Sequence, residues 1–230
     1  MVVQRQGQRG SGAEKAEDRR HLHLALRSLG RGISGVGKEM IDQFKVRELQ
    51  VDEIETLYNE RLTRDFPPDE LKPFTMIKRA LERDAYICYG ALVEESILAY
   101  AFFVKWGNDA LIDYYAVRED MRDAGIGSRF MQELISGPLQ GMNCVLLEVE
   151  DPDCSQDVRE RDIRNSRLSF YTRNGIVETG VRSIVWGVPY CILELPLGEG
   201  HSAAQIRMVY GGIYRVLMSE KLYNERVRII

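Results

Sequence analysis

The residues best suited to chemistry fall midway along the chain, in Arg122-Asp123-Ala124-Gly125-Ile126-Gly127-Ser128. They precede Phe130, Met131, Leu134 and Ile135, which lie on one face of a helix starting at Gly125. The first turn of a helix offers unpaired N–H groups and the positive end of the helix dipole, and together these bind phosphate. Gly125 and Gly127 carry no side chain that would keep a pyrophosphate from the backbone, and Arg122 adds a positive charge beside it. Alone, two glycines at this spacing are a weak signal, because glycine-bearing helix starts are often only structural. Phe130 stands where a dinucleotide-binding loop needs a third glycine, and no Lys-Ser/Thr pair follows, which excludes a P-loop.

Two carboxylates stand near this segment. Asp113 lies in the strand Leu111-Ile112-Asp113-Tyr114-Tyr115-Ala116-Val117, where strict alternation gives it the face of Tyr115 and Val117. A carboxylate among such neighbours is out of place unless it is exposed at a sheet end or functional. Glu148 shares a face with Glu150 in the next strand, Leu146 to Glu150. Paired acids raise one another's pKa toward a useful value, but a solvated or salt-bridged strand acid fits equally well. Arg161, Arg164 and Arg167 recur every three residues in a charged helix. They read as a solvated face pairing with Glu160 and Asp162, with contact to an anionic ligand as the alternative.

The elements that must hold these groups follow from periodicity and punctuation. A strand at Gln43 to Leu49 precedes helices at Val51 to Arg64 and Asp69 to Arg83, parted by Phe66-Pro67-Pro68. Strands follow at Ala85 to Val93, Ile97 to Lys105 and Ala110 to Val117. The helix from Gly125 to Ile135 then ends at Gly137-Pro138. A strand at Asn143 to Val149 and a helix at Asp157 to Asn174 come next. Two strands, Val177 to Trp186 and Val188 to Leu195, turn across Gly187. A last helix at Ala203 to Lys221 and a short strand at Glu225 to Ile230 close the chain. The order predicts a mixed α/β sheet with helices on both faces.

Composition narrows the function classes. The net charge is −4; residues 1–39 hold eight Lys/Arg against four Asp/Glu, so the remainder is near −8. An acidic body argues against nucleic acid as the main partner. No apolar run reaches the ~18 residues a membrane helix needs, and no secretory signal is visible, so a cytoplasmic protein is expected. Cys88, Cys144 and Cys191 lie in apolar strands and read as buried thiols, with no CxxC pair. With three histidines in the chain, no zinc site is expected. Residues 1–39 hold seven of the twenty glycines and read as a disordered, dispensable extension, with Met40 as an alternative start of translation.

The segment Arg122 to Ser128 resembles the acetyl-CoA motif of the GNAT superfamily, (Arg/Gln)-x-x-Gly-x-(Gly/Ala), which Arg122, Gly125 and Gly127 match. Tyr115-Ala116-Val117 resembles the GNAT strand whose exposed backbone pairs with the pantetheine arm. Phe170-Tyr171-Thr172-Arg173-Asn174-Gly175-Ile176 resembles the family's Tyr-x-x-x-Gly-Phe signature. Arg164, Arg167 and Ile176 depart from the residues many relatives carry there. The resemblance covers about residues 41–197, giving a domain over 40–197 and a tail over 198–230.

It implies a GNAT-like fold with a mixed, mostly antiparallel sheet. It implies acetyl-CoA as co-substrate, held by Tyr115, Ala116, Val117, Arg122, Asp123, Ala124, Gly125, Ile126, Gly127 and Ser128. The reaction implied is direct N-acetylation of a small-molecule or peptide amine. Tyr171 matches the tyrosine that protonates the leaving thiolate. Glu148 lies where the two central strands of such folds splay, so Glu148 and Asp113 are the candidate bases. A catalytically inactive GNAT-fold binding module is the alternative. Ile206, Val209, Tyr210, Ile213 and Leu217 form a stripe that reads as core or as a homodimer seam.

Overall fold

The structure is a computed structural model that describes residues 44–68 and 70–230. The expected extension over 1–39 and the alternative start at Met40 lie outside the described residues. Strand β1 (Lys45–Glu48) leads into helix α1 (Val51–Leu57). Glu53 fixes this corner: its carboxylate accepts the Gln50 amide at 2.8 Å and pairs with Arg47 at 2.6 Å. The helix runs on through a π-helical stretch, Tyr58–Leu62, and a last α turn, Thr63–Asp65.

The second helix begins later than periodicity predicts. It spans Phe74–Glu82 (α2), not Asp69 to Arg83. Pro73 keeps Lys72 out of helical backbone and itself sits extended at ψ 136°, ahead of the first turn. The non-helical Glu70–Pro73 segment meets the sheet instead, its Glu70 carbonyl accepting from the Tyr114 hydroxyl at 3.0 Å.

Strands β2 (Tyr86–Val93), β3 (Ser96–Trp106) and β4 (Asp109–Val117) form an antiparallel meander. Helix α3 (Ile126–Ser136) crosses to β5 (Cys144–Glu150), which runs parallel to β4. Helix α4 (Val158–Arg173) follows, capped by Asp157 accepting from the Glu160 amide at 2.8 Å. Strands β6 (Val177–Val185) and β7 (Val188–Pro196) turn through Trp186 and Gly187, both at positive φ. That is the backbone a two-residue hairpin turn needs. Helix α5 (Ala203–Leu217) ends earlier than the predicted Lys221. Met218 is extended there, and Ser219 accepts from the Leu222 amide, starting a separate helix α6 (Glu220–Arg226) before β8 (Val227–Ile229).

The eight strands lie in the order β1-β2-β3-β4-β5-β7-β6-β8, and only β4 and β5 pair in parallel. This is the expected mixed, mostly antiparallel sheet. One face carries α1, α2 and α5, with Ile54, Ile77, Phe102, Leu146, Ile206 and Ile213 in a single buried cluster. The other carries α3 and α4, with Phe130, Met131 and Leu134 buried beside the sheet. Burial of such side chains stabilises by about 1.5–3 kcal/mol each. Among the described residues no helix is long and apolar enough to cross a membrane.

Two irregularities shape the centre of the sheet. Phe102 pairs with Tyr114 but Phe103 with Ile112, so Asp113 is an extra residue bulged out of β4. Pairing of β4 with β5 covers only Ala110–Val145, Leu111–Leu146 and Ile112–Leu147. Beyond the bulge the two strands part. The alternation expected for Asp113 therefore fails. Asp113 joins Leu111 and Tyr114 on the α2 and α5 side, whereas the Tyr115 ring faces Phe130 of α3.

Candidate active site

The loop after β4 is built for a bare helix start. A 3-10 turn, Glu119–Met121, precedes Arg122 in extended backbone. Asp123 then takes φ 62° and Gly125 φ 83°, and Gly125 is the N-cap of α3 without any capping side chain. A Cβ on Gly125 would meet nothing within 4 Å. Glycine is needed there for its left-handed backbone, and the space beside it stays open. The first helical bond runs from the Arg129 amide to the Gly125 carbonyl at 3.1 Å. The amides of Ile126, Gly127 and Ser128 thus precede any intrahelical bond. Gly127 has a packing task that its sequence did not suggest. Its Cβ would lie 3.3 Å from both Val117 Cγ2 and Phe170 Cζ, so its bareness lets α4 close on β4.

The surrounding side chains hold this loop. Tyr115 donates to the Gly127 carbonyl at 2.5 Å, and its ring stacks on Phe130 and lies near Phe170. Asn174 donates to Ser128 Oγ at 3.3 Å. The half-exposed Arg122 guanidinium reaches the Val117 carbonyl at 3.2 Å and Asp65 at 3.3 Å. On its other edge β4 stays paired with β3 here, Tyr115 with Ala101, Ala116 with Tyr100 and Val117 with Ala99, so the edge of Tyr115-Ala116-Val117 that faces β5 has no strand partner among the described residues.

Both candidate bases line the parting of β4 and β5, in different states. Glu148 accepts hydrogen bonds from the hydroxyls of Tyr210 and, at 2.7 Å, Tyr214. Tyr210 is tied in turn to Ser183 Oγ at 2.8 Å. Burial raises the Glu148 carboxyl above its usual range and nearby Asp113 adds to this, while the tyrosine bonds and the Lys72 ammonium oppose it. Asp113, with a side chain only 2% exposed, is already engaged by the Lys72 ammonium and the Tyr86 hydroxyl. Lys72 is brought there by the non-helical segment before α2, where its amide donates to the Tyr114 hydroxyl at 2.8 Å. The two acids are close enough to influence each other, but only Glu148 lacks a cation in direct contact among the described residues.

Tyr171 ends α4 beside the same loop. It is half-buried, its ring stands edge-on to Phe170 at 5.3 Å, and its hydroxyl has no hydrogen-bond partner among the described residues. Burial pushes it up to about 12, against a smaller lowering by Arg167. It is therefore a protonated hydroxyl at neutral pH.

Of the arginine row of α4, Arg161 and Arg167 are exposed as their spacing suggested, and only Arg164 departs from a solvated face. Arg164 is 5% exposed. It donates to the Asp151 carbonyl at 2.7 Å and pairs with Glu150 at 3.3 Å and Glu160 at 2.7 Å. Its position over the end of β5 forces it inward, and the half-exposed Arg167 shares Glu150 at 3.5 Å. Sequence reasoning missed Lys72, Tyr86, Ser183, Tyr210 and Tyr214. A signal existed for one pair: Tyr210 and Tyr214 are four residues apart and so share a helix face.

Residues 51–155 match the model of the acetyltransferase (GNAT) family, and the resemblance read in the glycine loop is borne out. Tyr171 and α5 lie beyond the matched segment. No curated protein sequence matches significantly. A GNAT-family protein from Bacteroides thetaiotaomicron superposes with a TM-score of 0.58 at 16% identity, covering 77% of this chain and 98% of its own. The ribosomal-protein-S18-alanine N-acetyltransferase of Escherichia coli gives 0.50 at 16%, covering 70% and 98%. An aminoglycoside 6'-N-acetyltransferase complexed with coenzyme A gives 0.50 at 17%, covering 69% and 99%. At these identities the likeness shows the fold.

Proposed function

We propose that this chain, which carries the GNAT-family domain and fold, transfers an acetyl group from acetyl-CoA to a primary amine by direct attack. The observation that carries this reading is the opening between β4 and β5. At its mouth lies an uncapped, glycine-led helix start. Along one wall runs unpaired β4 backbone. At its side stands Glu148, a half-buried carboxylate without a cation in direct contact among the described residues.

The residues divide the work accordingly. The amides of Ile126, Gly127 and Ser128, with the α3 dipole, receive the pyrophosphate, and Arg122 adds charge beside it. The free edge of Tyr115-Ala116-Val117 pairs with the amides of the pantetheine arm, which leads the thioester into the opening. A lysine-like amine has a pKa of about 10.4 and arrives protonated. Glu148, directly or through a water, removes that proton, and burial brings its pKa closer to what the task needs. The amine nitrogen bonds to the acetyl carbon and the carbon–sulfur bond breaks, its electron pair leaving on sulfur. Tyr171, still protonated, gives its proton to that sulfur, and the nitrogen sheds its second proton to solvent to leave the neutral amide, after which Glu148 and Tyr171 return to their starting states by exchange with water. Asp113 acts by holding Lys72 and the segment before α2, and through its charge raises Glu148.

The coenzyme A bound to the aminoglycoside 6'-N-acetyltransferase supports the choice of co-substrate, and the acidic body of this chain favours a cationic acceptor. The test is a panel of primary amines and peptide N-termini incubated with acetyl-CoA, followed by release of free thiol. Turnover with at least one amine, lost in Glu148→Gln, is the expected result. Binding of acetyl-CoA without turnover on any amine would replace this reading with that of a binding module.

A further inference from the structure

At the end of the sheet away from the glycine loop, a second group of chemically competent side chains converges. Asp109 opens β4, Cys144 opens β5, and His201 lies in the loop that delivers the chain to α5. A carboxylate oxygen of Asp109, Cys144 Sγ and an imidazole nitrogen of His201 lie within 4.8 Å of one another. Asp109 is 8% exposed, Glu194, which holds His201, 3% exposed, and Cys144 fully buried.

Asp109 accepts the Cys144 amide at 3.2 Å and the Cys144 thiol, both from one residue of the cluster itself. The one ion-pair partner of Glu194 among them is His201, at 2.7 Å. Two buried carboxylates, with no lysine or arginine ion-paired to them among the described residues, make a donor set that a bound cation would stabilise. The imidazole is also oriented. Glu194 accepts from His201 Nδ1 at 2.7 Å and from the His201 amide at 3.3 Å. With Nδ1 as donor, the nitrogen left with a lone pair is Nε2. A carboxylate holding the far side of a histidine in this way is the usual support of a metal-ligating imidazole.

We propose that Asp109, Cys144 and His201 bind a divalent transition metal, zinc by preference, with Glu194 fixing the histidine. One thiolate, one imidazole and one carboxylate suit zinc, which takes sulfur at about 2.3 Å and nitrogen or oxygen at about 2.0–2.2 Å. Binding releases the thiol proton to solvent as the sulfur–metal bond forms. The ligand atoms already lie within 4.8 Å of one another, close to the separation that a shared ion imposes. The site would tie the starts of the two central strands to the loop before α5. Since α5 carries Tyr210 and Tyr214, which hold Glu148, the metal would steady that helix from its N-terminal side. This inference is independent of the acetyl-transfer reading.

The test uses the untagged full chain, stripped with chelator and titrated with zinc, then with cobalt as a spectroscopic substitute. The expected result is one zinc per chain, a raised unfolding temperature, and a thiolate-to-cobalt charge-transfer band. Cys144→Ser abolishes the band, while Cys154→Ser, at an exposed cysteine, leaves it. Glu194→Gln weakens affinity about 10–100-fold, the usual effect of losing such a support. His201→Gln, at a partly exposed loop position, tests the ligand without emptying the core. Failure of the folded parent chain to take up zinc, or uptake and band unchanged in Cys144→Ser and His201→Gln, overturns the proposal.

Discussion

Replacing Tyr214 by phenylalanine removes one oxygen and keeps the ring. The Tyr214 side chain is 2% exposed, and its hydroxyl donates to Glu148 at 2.7 Å. The second donor, Tyr210, remains in place with its Ser183 contact. A hydrogen bond to a charged group is worth about 1.5–3 kcal/mol, and one pKa unit corresponds to about 1.4 kcal/mol. The Tyr214 bond lowers the Glu148 pKa against the raising effect of burial. Its loss should therefore move the Glu148 pKa up by about one to two units. Glu148 acts as a base only when ionised, so the acid limb of kcat/KM against pH moves to higher pH by the same amount. Well below both limbs the variant is about 10–100-fold slower, and on the alkaline plateau it matches the parent to within about threefold. Stability follows the same sign. A carboxyl whose folded pKa exceeds its unfolded value binds protons more readily when folded, so it favours the fold at low pH and loses that contribution as pH rises through the folded pKa. The variant should widen that window upward. The assay is thiol release across the pH range with a working amine, beside thermal unfolding at the same pH values. An acid limb that stays where it was would mean that the substrate amine or another group titrates there, and the assignment of Glu148 would fall. A uniform loss at every pH would instead make Tyr214 a packing residue.

Gly125→Glu puts a side chain and a negative charge at a left-handed N-cap with open space beside it, so acetyl-CoA affinity by calorimetry should collapse while the fold loses only about 1–3 kcal/mol; unchanged affinity in a folded variant would remove the loop from the site. Tyr171→Phe should leave cofactor affinity nearly unchanged and slow turnover by about 10²-fold or more. With the hydroxyl pushed up to about 12, no alkaline limb from it enters the working pH range, so near-full turnover, not a pH shift, is the result that would acquit it. Deleting residues 1–39 should change neither the unfolding temperature nor acetyl-CoA affinity, and a large loss in either would give that segment a role.

The sequence by itself determined the elements and the loop. Alternating apolar runs, the breaks at Pro67-Pro68 and Gly137-Pro138, and the turn at Gly187 were enough to order strands and helices, because these signals are local. Arg122, Gly125 and Gly127 were legible for the same reason, since a helix start is built from consecutive backbone. Local signals also misled: Pro73 delays α2, and Ser219 begins a new helix where periodicity runs on. What tertiary structure decided is which groups meet. Strict alternation put Asp113 with Tyr115, but a one-residue bulge separates them, because register depends on the neighbouring strand. Glu148 acquires its tyrosines from α5, more than 60 residues away at Tyr210 and Tyr214, |i−j| = 62 and 66. Arg164 is drawn inward by Glu150 and the Asp151 carbonyl, which no spacing within its own helix reveals. Asp109, Cys144, Glu194 and His201 come together only because β4, β5 and β7 lie side by side. Side-chain state depends on burial and on partners distant in sequence, and only the folded chain brings these together.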